Sequence, residues 1–387
     1  MIMLYTITEA YSKVGNKNCE DDDAYDRFSR RWTILLLAVC IIAVSAKQFV
    51  GDPIKCLTPT YFEGEHSTYA QNYCWITAVY RIDEHQTLTP TEKKQYYTNY
   101  YIWVPFILVG ACLLTYLPSL IWESIGHKAT VDIPALSNFL VNKKHTIASD
   151  DYDKTLKAIS QHYSRSLSIL KADKNCILKL NRLIIKISLF FIGGGPLTAA
   201  YFLVKILYLI NACGQLYLMH LFLEVNFIEY GKRIFQGLVK GGDWESTVRF
   251  PRYGFCDYTF RALGDNNINH TTQCTLPVNL YNERIFAFYW CWLILIGIIT
   301  VIGIIQFLIG MSYYSRRSFI KQHLRRMETV QTKMTSKEIW VFNEFCEEYL
   351  GGDGILFLRI IHKNMNSVFV GDLLQQMWKD FYITKKD

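Results

Sequence analysis

Charged residues are few in this 387-residue chain, 19% against 51% hydrophobic, and they are missing most where it matters. Ile102 to Trp122 carries no charge over 21 residues, and Phe286 to Gly310 carries none over 25. At about 1.5 Å per residue each run is long enough for a hydrocarbon layer of roughly 30 Å. Two such runs argue against a wholly soluble protein.

Other absences narrow the chemistry. No convergent set of acid, base, nucleophile or metal ligands stands out, so the chain reads as no enzyme, with no catalytic residue, metal or cofactor. His220 and Glu224, four apart, lack further ligands and read as side chains near a span end. The Gly-Gly-Gly-Pro of 193–196 is followed by no GK[ST], which removes the phosphate-loop reading. Glu20-Asp21-Asp22-Asp23 reads as solvated charge. The extreme N-terminus lacks a signal-peptide pattern, so the first span is expected to serve as its own targeting signal. Little charge falls inside the apolar runs, which argues against an ion-coupled transporter built on buried carboxylates. Lys205 is the exception, and it is expected either to snorkel to the interface or to face a pore.

What is present is a set of spans. Trp32 to Ala46 is apolar, and with Lys47 snorkelling the first span extends over 32–50. The second is 102–122 and the last 286–310. Leu183 to Val225 is apolar but broken by the glycines, and reads either as two spans or as one over 201–223. Arg27, Arg30 and Arg31 precede the first span, and Arg316, Arg317, Lys321, Arg325 and Arg326 follow the last, so both termini read as cytoplasmic. An even number of spans is then required, which selects four. The order is a cytoplasmic segment 1–31, an extracellular loop 51–101, a cytoplasmic loop 123–200, a second extracellular loop 224–285 and a cytoplasmic region 311–387. The net charge of +7 becomes an inner-surface property, suited to anionic lipid headgroups and needing no nucleic acid.

Cysteine tests that order. Cys56 and Cys74 fall in the first extracellular loop, Cys256 and Cys274 in the second, on the side where disulfides persist. Four cysteines allow three complete pairings, and spacing does not choose among them. Asn269-His270-Thr271 is a glycosylation sequon in the second loop. Cys19, Cys40, Cys112, Cys176, Cys213, Cys291 and Cys346 read as free thiols.

On the cytoplasmic side, Leu156, Ile159, Tyr163, Leu167 and Leu170 recur at helical spacing, and Lys337–Leu350 and Ile355–Ile361 read as helices separated by Gly351-Gly352-Asp353-Gly354. The second extracellular loop favours short strands around WESTVRFPRYGFCDYTF. The fold class is an all-α polytopic membrane protein: four transmembrane helices, disulfide-stapled extracellular loops with short strands, and a helical cytoplasmic domain.

Several motifs then carry a resemblance. Tyr100-Tyr101-Ile102-Trp103-Val104 is similar to the second-span signature of the innexins, with Ile102 where glutamine is usual. GDPIKCLTP at 51–59, Tyr73-Cys74, FPRYGFCDY at 250–258 and QCTLPVNLYNERIFAFYW at 273–290 follow in order, with Leu57 in a place often held by tryptophan. The chain resembles an innexin across most of its length. The resemblance implies a gap junction channel subunit of the plasma membrane, passing ions and small hydrophilic solutes. It implies assembly with like subunits or other innexins into an octameric hemichannel that docks with the hemichannel of an adjacent cell. It also implies bridges Cys56–Cys274 and Cys74–Cys256, and an N-terminal segment folded toward the pore. Pro105, just after the signature, is expected to kink or widen the outer end of the second span. The alternatives are an undocked hemichannel releasing small solutes and a non-conducting adhesion or scaffold protein.

Overall fold

A computed structural model describes residues 22–60, 64–80, 97–128, 149–172, 195–223, 227–240, 250–261, 264, 266–329, 335–364 and 367–384. Among them four helices are long and apolar enough to cross a membrane. These are α1 (Ala24–Phe49), α3 (Val104–Lys128, entered through a 3₁₀ turn at Tyr100–Trp103), α5 (Pro196–Leu223) and α7 (Pro277–Met311). The fold class read from the sequence is therefore present: four apolar helices, a small antiparallel sheet and two disulfides.

Three of these helices start earlier than their apolar runs. α1 begins at Ala24 and not Trp32, α5 at Pro196 and not Tyr201, and α7 at Pro277 and not Phe286. Pro196 and Pro277 each occupy the first helical position, where a missing N–H costs nothing and the fixed φ suits the helix. The added turns include polar side chains, some of them buried and paired, as Asp26 and Asn279 are. An apolar-run criterion stops short of such turns. The reading of 183–194 as a separate span lies outside the described residues.

The chain divides into two compact units. One comprises Ser29–Tyr116 and Ile210–Ile298. It contains α2 (Glu65–Thr77), α6 (Phe227–Lys240) and a five-stranded antiparallel sheet in the order β1-β5-β4-β2-β3. The strands are β1 (Lys55–Cys56), β2 (Val79–Tyr80), β3 (Tyr97–Thr98), β4 (Tyr253–Arg261) and β5 (Asn267–Thr275). β4 and β5 form a hairpin with Tyr253 opposite Thr275, and β1 and β2 from the earlier loop add to its two edges.

The other unit comprises Met1–Phe28, Leu117–Leu209 and Ile299–Asp387. Its helices outside the apolar set are α4 (Ser149–Ala172), α8 (Tyr313–Arg326), α9 (Ser336–Glu344), α10 (Gly351–Asn364) and α11 (Ser367–Thr384). Leu156, Ile159 and Tyr163 bury the apolar stripe of α4, with Tyr163 stacked on Phe357 at 4.7 Å. Tyr152 and Ser160 on the same helix donate to Asp372 and Asp380 of α11 at 2.5 and 2.7 Å. Thr335 and Glu338 form a capping box that starts α9.

The glycine cluster at 351–354 does not separate two helices by a loop. Only Gly351 leaves helical geometry, with φ +61°, and Gly352-Asp353-Gly354 form the first turn of α10. A wide π turn, Phe345–Leu350, fills the interval expected to stay α-helical.

Candidate channel and docking elements

In the sheet-bearing unit the two loops are one body. Cys56 of β1 lies opposite Cys274 of β5 in the ladder, and the two are bonded, with Cα atoms 3.9 Å apart. Cys74 of α2 is bonded to Cys256 of β4. Helix α2 is thereby fastened to the hairpin while β1 is fastened to its outer strand. The sulfurs of Cys56, Cys74 and Cys274 come within 4.8 Å of one another, so the two bridges are neighbours. All three are oxidised, so none supplies the thiolate a metal would need.

Asn269 is exposed on β5, where its Oδ1 accepts a hydrogen bond from Thr259 across the hairpin at 2.8 Å. Cys40, Cys112, Cys213, Cys291 and Cys346 are free thiols, and Cys19 and Cys176 lie outside the described residues.

The signature residues enter α3 as a joint. Tyr100 and Tyr101 are buried. The Tyr100 hydroxyl donates to Asn279 Oδ1 at 3.2 Å, and its ring meets Phe222 and Phe250 edge-on at 5.5 and 5.7 Å. Asn279 in turn donates to the carbonyl of Pro251 at 2.8 Å. The Tyr101 ring packs on Trp75 at 4.7 Å, and its carbonyl accepts from Gln48 Nε2 at 2.7 Å. One dipeptide thus ties the start of α3 to the end of α1, the start of α7, and the helix that carries Cys74. Val104 is buried, while Trp103 is 58% exposed. Pro105 is the second residue of α3, where the absent N–H is least costly; the departure from α geometry is the 3₁₀ turn before it. Pro118 is the proline inside that helix.

In the other unit Lys205 faces two carboxylates. Its side chain is fully buried, with Nζ 2.7 Å from Asp26 Oδ2 and 2.9 Å from Asp23 Oδ2. The Tyr201 hydroxyl donates to Asp26 at 3.1 Å and accepts the Asp23 N–H at 2.8 Å. Lys363 of α10 pairs with the other oxygen of Asp23. Burial alone would raise the Asp23 carboxyl, but Lys205 and Lys363 outweigh it and hold the group at about 2. The sequence reading missed this cluster because it treated the acidic run as solvated. Helical spacing was the available signal, since Asp23 and Asp26 are three apart at the start of a helix. Glu20 and Asp21 lie outside the described residues, as does Glu224.

The glycine motif before α5 also finds its anion, supplied by the chain itself. Asp353 accepts the backbone N–H groups of Leu197 and Thr198 at 3.3 and 2.8 Å and the Thr198 hydroxyl at 2.8 Å. Those N–H groups belong to the first turn of α5, which carries partial positive charge. A Cβ on Gly195 would run into the Asp353 carboxylate. Gly193 and Gly194 lie outside the described residues.

A family model described as Innexin matches residues 22–381. Innexin-19 of Caenorhabditis briggsae is 28% identical over 384 residues, covering 93% of this chain and 86% of that protein. Innexin unc-9 of Caenorhabditis elegans is 29% identical over 373 residues, covering 95% and 94%. Innexin-10 of Caenorhabditis elegans is 30% identical over 372 residues, covering 94% and 65%.

Proposed function

The chain belongs to the innexin family, and from that premise we propose that it is one subunit of a gap junction channel, oligomeric and passing ions and small hydrophilic solutes between cells. The observation that carries the reading is the fusion of two distant loops into one sheet by paired strands and two disulfides. A docking surface must keep its shape without a partner, and cross-linked strands achieve this. Four apolar helices per chain are too few to enclose a wide aqueous path, which favours a ring of like subunits or other innexins; the resemblance to innexins implies eight of them. In this arrangement the sheet is extracellular, both termini are cytoplasmic, and the hemichannel of an adjacent cell docks on the sheet. Disulfides on one side and arginine clusters at the ends of α1 and α7 support that orientation.

Asn269 supports a second reading. It is exposed on the hairpin that would dock, and a glycan there would hold two hemichannels apart, leaving an undocked channel that releases solutes from one cell. Two-cell voltage clamp separates the readings. Junctional current between paired expressing cells is the expected result. Current in single cells alone favours the undocked form, and purified oligomers impermeable in liposomes under opening stimuli would overturn both.

A further inference from the structure

Arg359, His362 and Lys363 stand at i, i+3 and i+4 on α10, so one face of that helix carries three basic side chains. The face lines a cavity of about 550 Å³ whose walls are otherwise mostly apolar, among them Tyr201, Phe307, Met311, Phe319, Leu356 and Ile360. Phe307 and Met311 belong to the last turns of α7, an apolar helix long enough to span a bilayer. The Arg359 guanidinium lies against Gly310 of the same turns, where any side chain would collide with it. Its charge therefore sits where the apolar helix gives way to the basic helix α8, the level at which lipid headgroups begin.

The donors in this cavity are not all used. Arg359 Nη2 donates to Ser315 at 3.2 Å and the guanidinium lies 5.4 Å from the Phe319 ring; Asp23 acts on it through space, and among the described residues no carboxylate makes a direct ion pair with it. Arg359 Nε and His362 Nδ1 are buried without a hydrogen-bond partner. Burial, and then His323 and Arg326 nearby, lower the His362 pKa, so the ring is neutral at pH 7 and carries one N–H. Asp22 and Asp23 also line the cavity, but Asp23 is already compensated by Lys205 and Lys363. Buried donors beside a cation are costly until an acceptor fills them.

We propose that this cavity binds a phosphate-bearing amphiphile, the phosphate accepting from Arg359 and His362 and the apolar part lying along Phe307, Met311 and Leu356. The required chemistry is a phosphate ester, and the apolar walls favour a membrane phospholipid over a soluble ester. The inference goes beyond the channel reading and needs only that α7 lies in a bilayer.

The test uses the full-length protein in nanodiscs containing a photoactivatable phosphatidic acid. Labelled peptides from 303–311 and 356–363 are the expected result; labelling confined to other segments overturns the proposal. In detergent, native mass spectrometry with phosphatidic acid is expected to show retention about tenfold weaker for Arg359→Gln and for His362→Gln, the loss of one charge-assisted hydrogen bond. Equal retention by wild type and both folded variants overturns it, and if the variants fail to fold, the wild-type labelling decides. Glycerol phosphate is the second arm: failure to displace the lipid supports a membrane source, and binding as tight as that of phosphatidic acid overturns it.

Discussion

Lys205 and Asp26 face each other at 2.7 Å with side chains 0% and 2% exposed, a closed ion pair at the entry of the first apolar helix. Removing one member leaves the other charged and unpaired in a low-dielectric site, which costs far more than the pair itself contributes. Lys205→Met is expected to lower stability by about 3–5 kcal/mol. The double variant Lys205→Met with Asp26→Asn is expected to recover most of that loss. Thermal unfolding in detergent, followed by size-exclusion fluorescence, distinguishes the two, and equal destabilisation by the single and double variants contradicts the account.

Asp23 makes this region sensitive to acid. Its folded pKa, about 2, lies below the ordinary 3.8, so its stabilising contribution is complete above about pH 4 and disappears as pH falls through 2. Asp23→Asn is expected to flatten the acid limb of a stability profile between pH 5 and pH 2. A variant whose acid limb matches the wild type assigns the dependence elsewhere.

Adjacent disulfides make single cysteine variants worse than double ones. In Cys256→Ser the released Cys74 thiol stands beside the Cys56–Cys274 bridge and can exchange with it. Alkylation and non-reducing peptide mapping of Cys256→Ser are expected to find bonds of Cys74 to Cys56 or Cys274. The pair Cys74→Ala with Cys256→Ala is expected to keep Cys56–Cys274 and more surface protein. Junctional current should be lost in Cys56→Ser and Cys274→Ser even where surface expression persists.

At the start of α5, Gly195→Ala places a methyl group in the Asp353 carboxylate, and Asp353→Ala leaves the first-turn N–H groups without an acceptor. Loss of such a cap costs about 1–2 kcal/mol. Hydrogen exchange at Leu197 and Thr198 is expected to accelerate in both variants, and unchanged protection of those two amides counts against the contact.

The legible part of this molecule is the part governed by continuous, one-dimensional patterns. An uncharged run such as 286–310 can be recognised without knowing its neighbours. The starts of α1 and α7 are different: Asp26 and Asn279 look like surface residues until Lys205 and Tyr100 are brought against them. Gly351-Gly352-Asp353-Gly354 has loop composition, yet Asp353 is needed to hold another helix and the glycines start α10. Spacing alone left three pairings of Cys56, Cys74, Cys256 and Cys274, because one bridge follows strand register and the other joins a helix to a strand. Partnerships between distant segments leave no periodicity to read.

The sheet imposes a schedule on synthesis. β1 and α2 emerge from the ribosome long before the hairpin to which they are fastened, since Cys56 and Cys274 are 218 residues apart. At about 5–20 residues per second the first loop waits about 10–40 s for its partner. During that interval Cys56 and Cys74, only 18 positions apart, are the two thiols available to each other. A premature bond between them would leave β5 with no cysteine to receive. If that bond forms, assembly requires disulfide isomerisation, and the yield of functional protein is then expected to follow the capacity of the cell that makes it to reshuffle bonds.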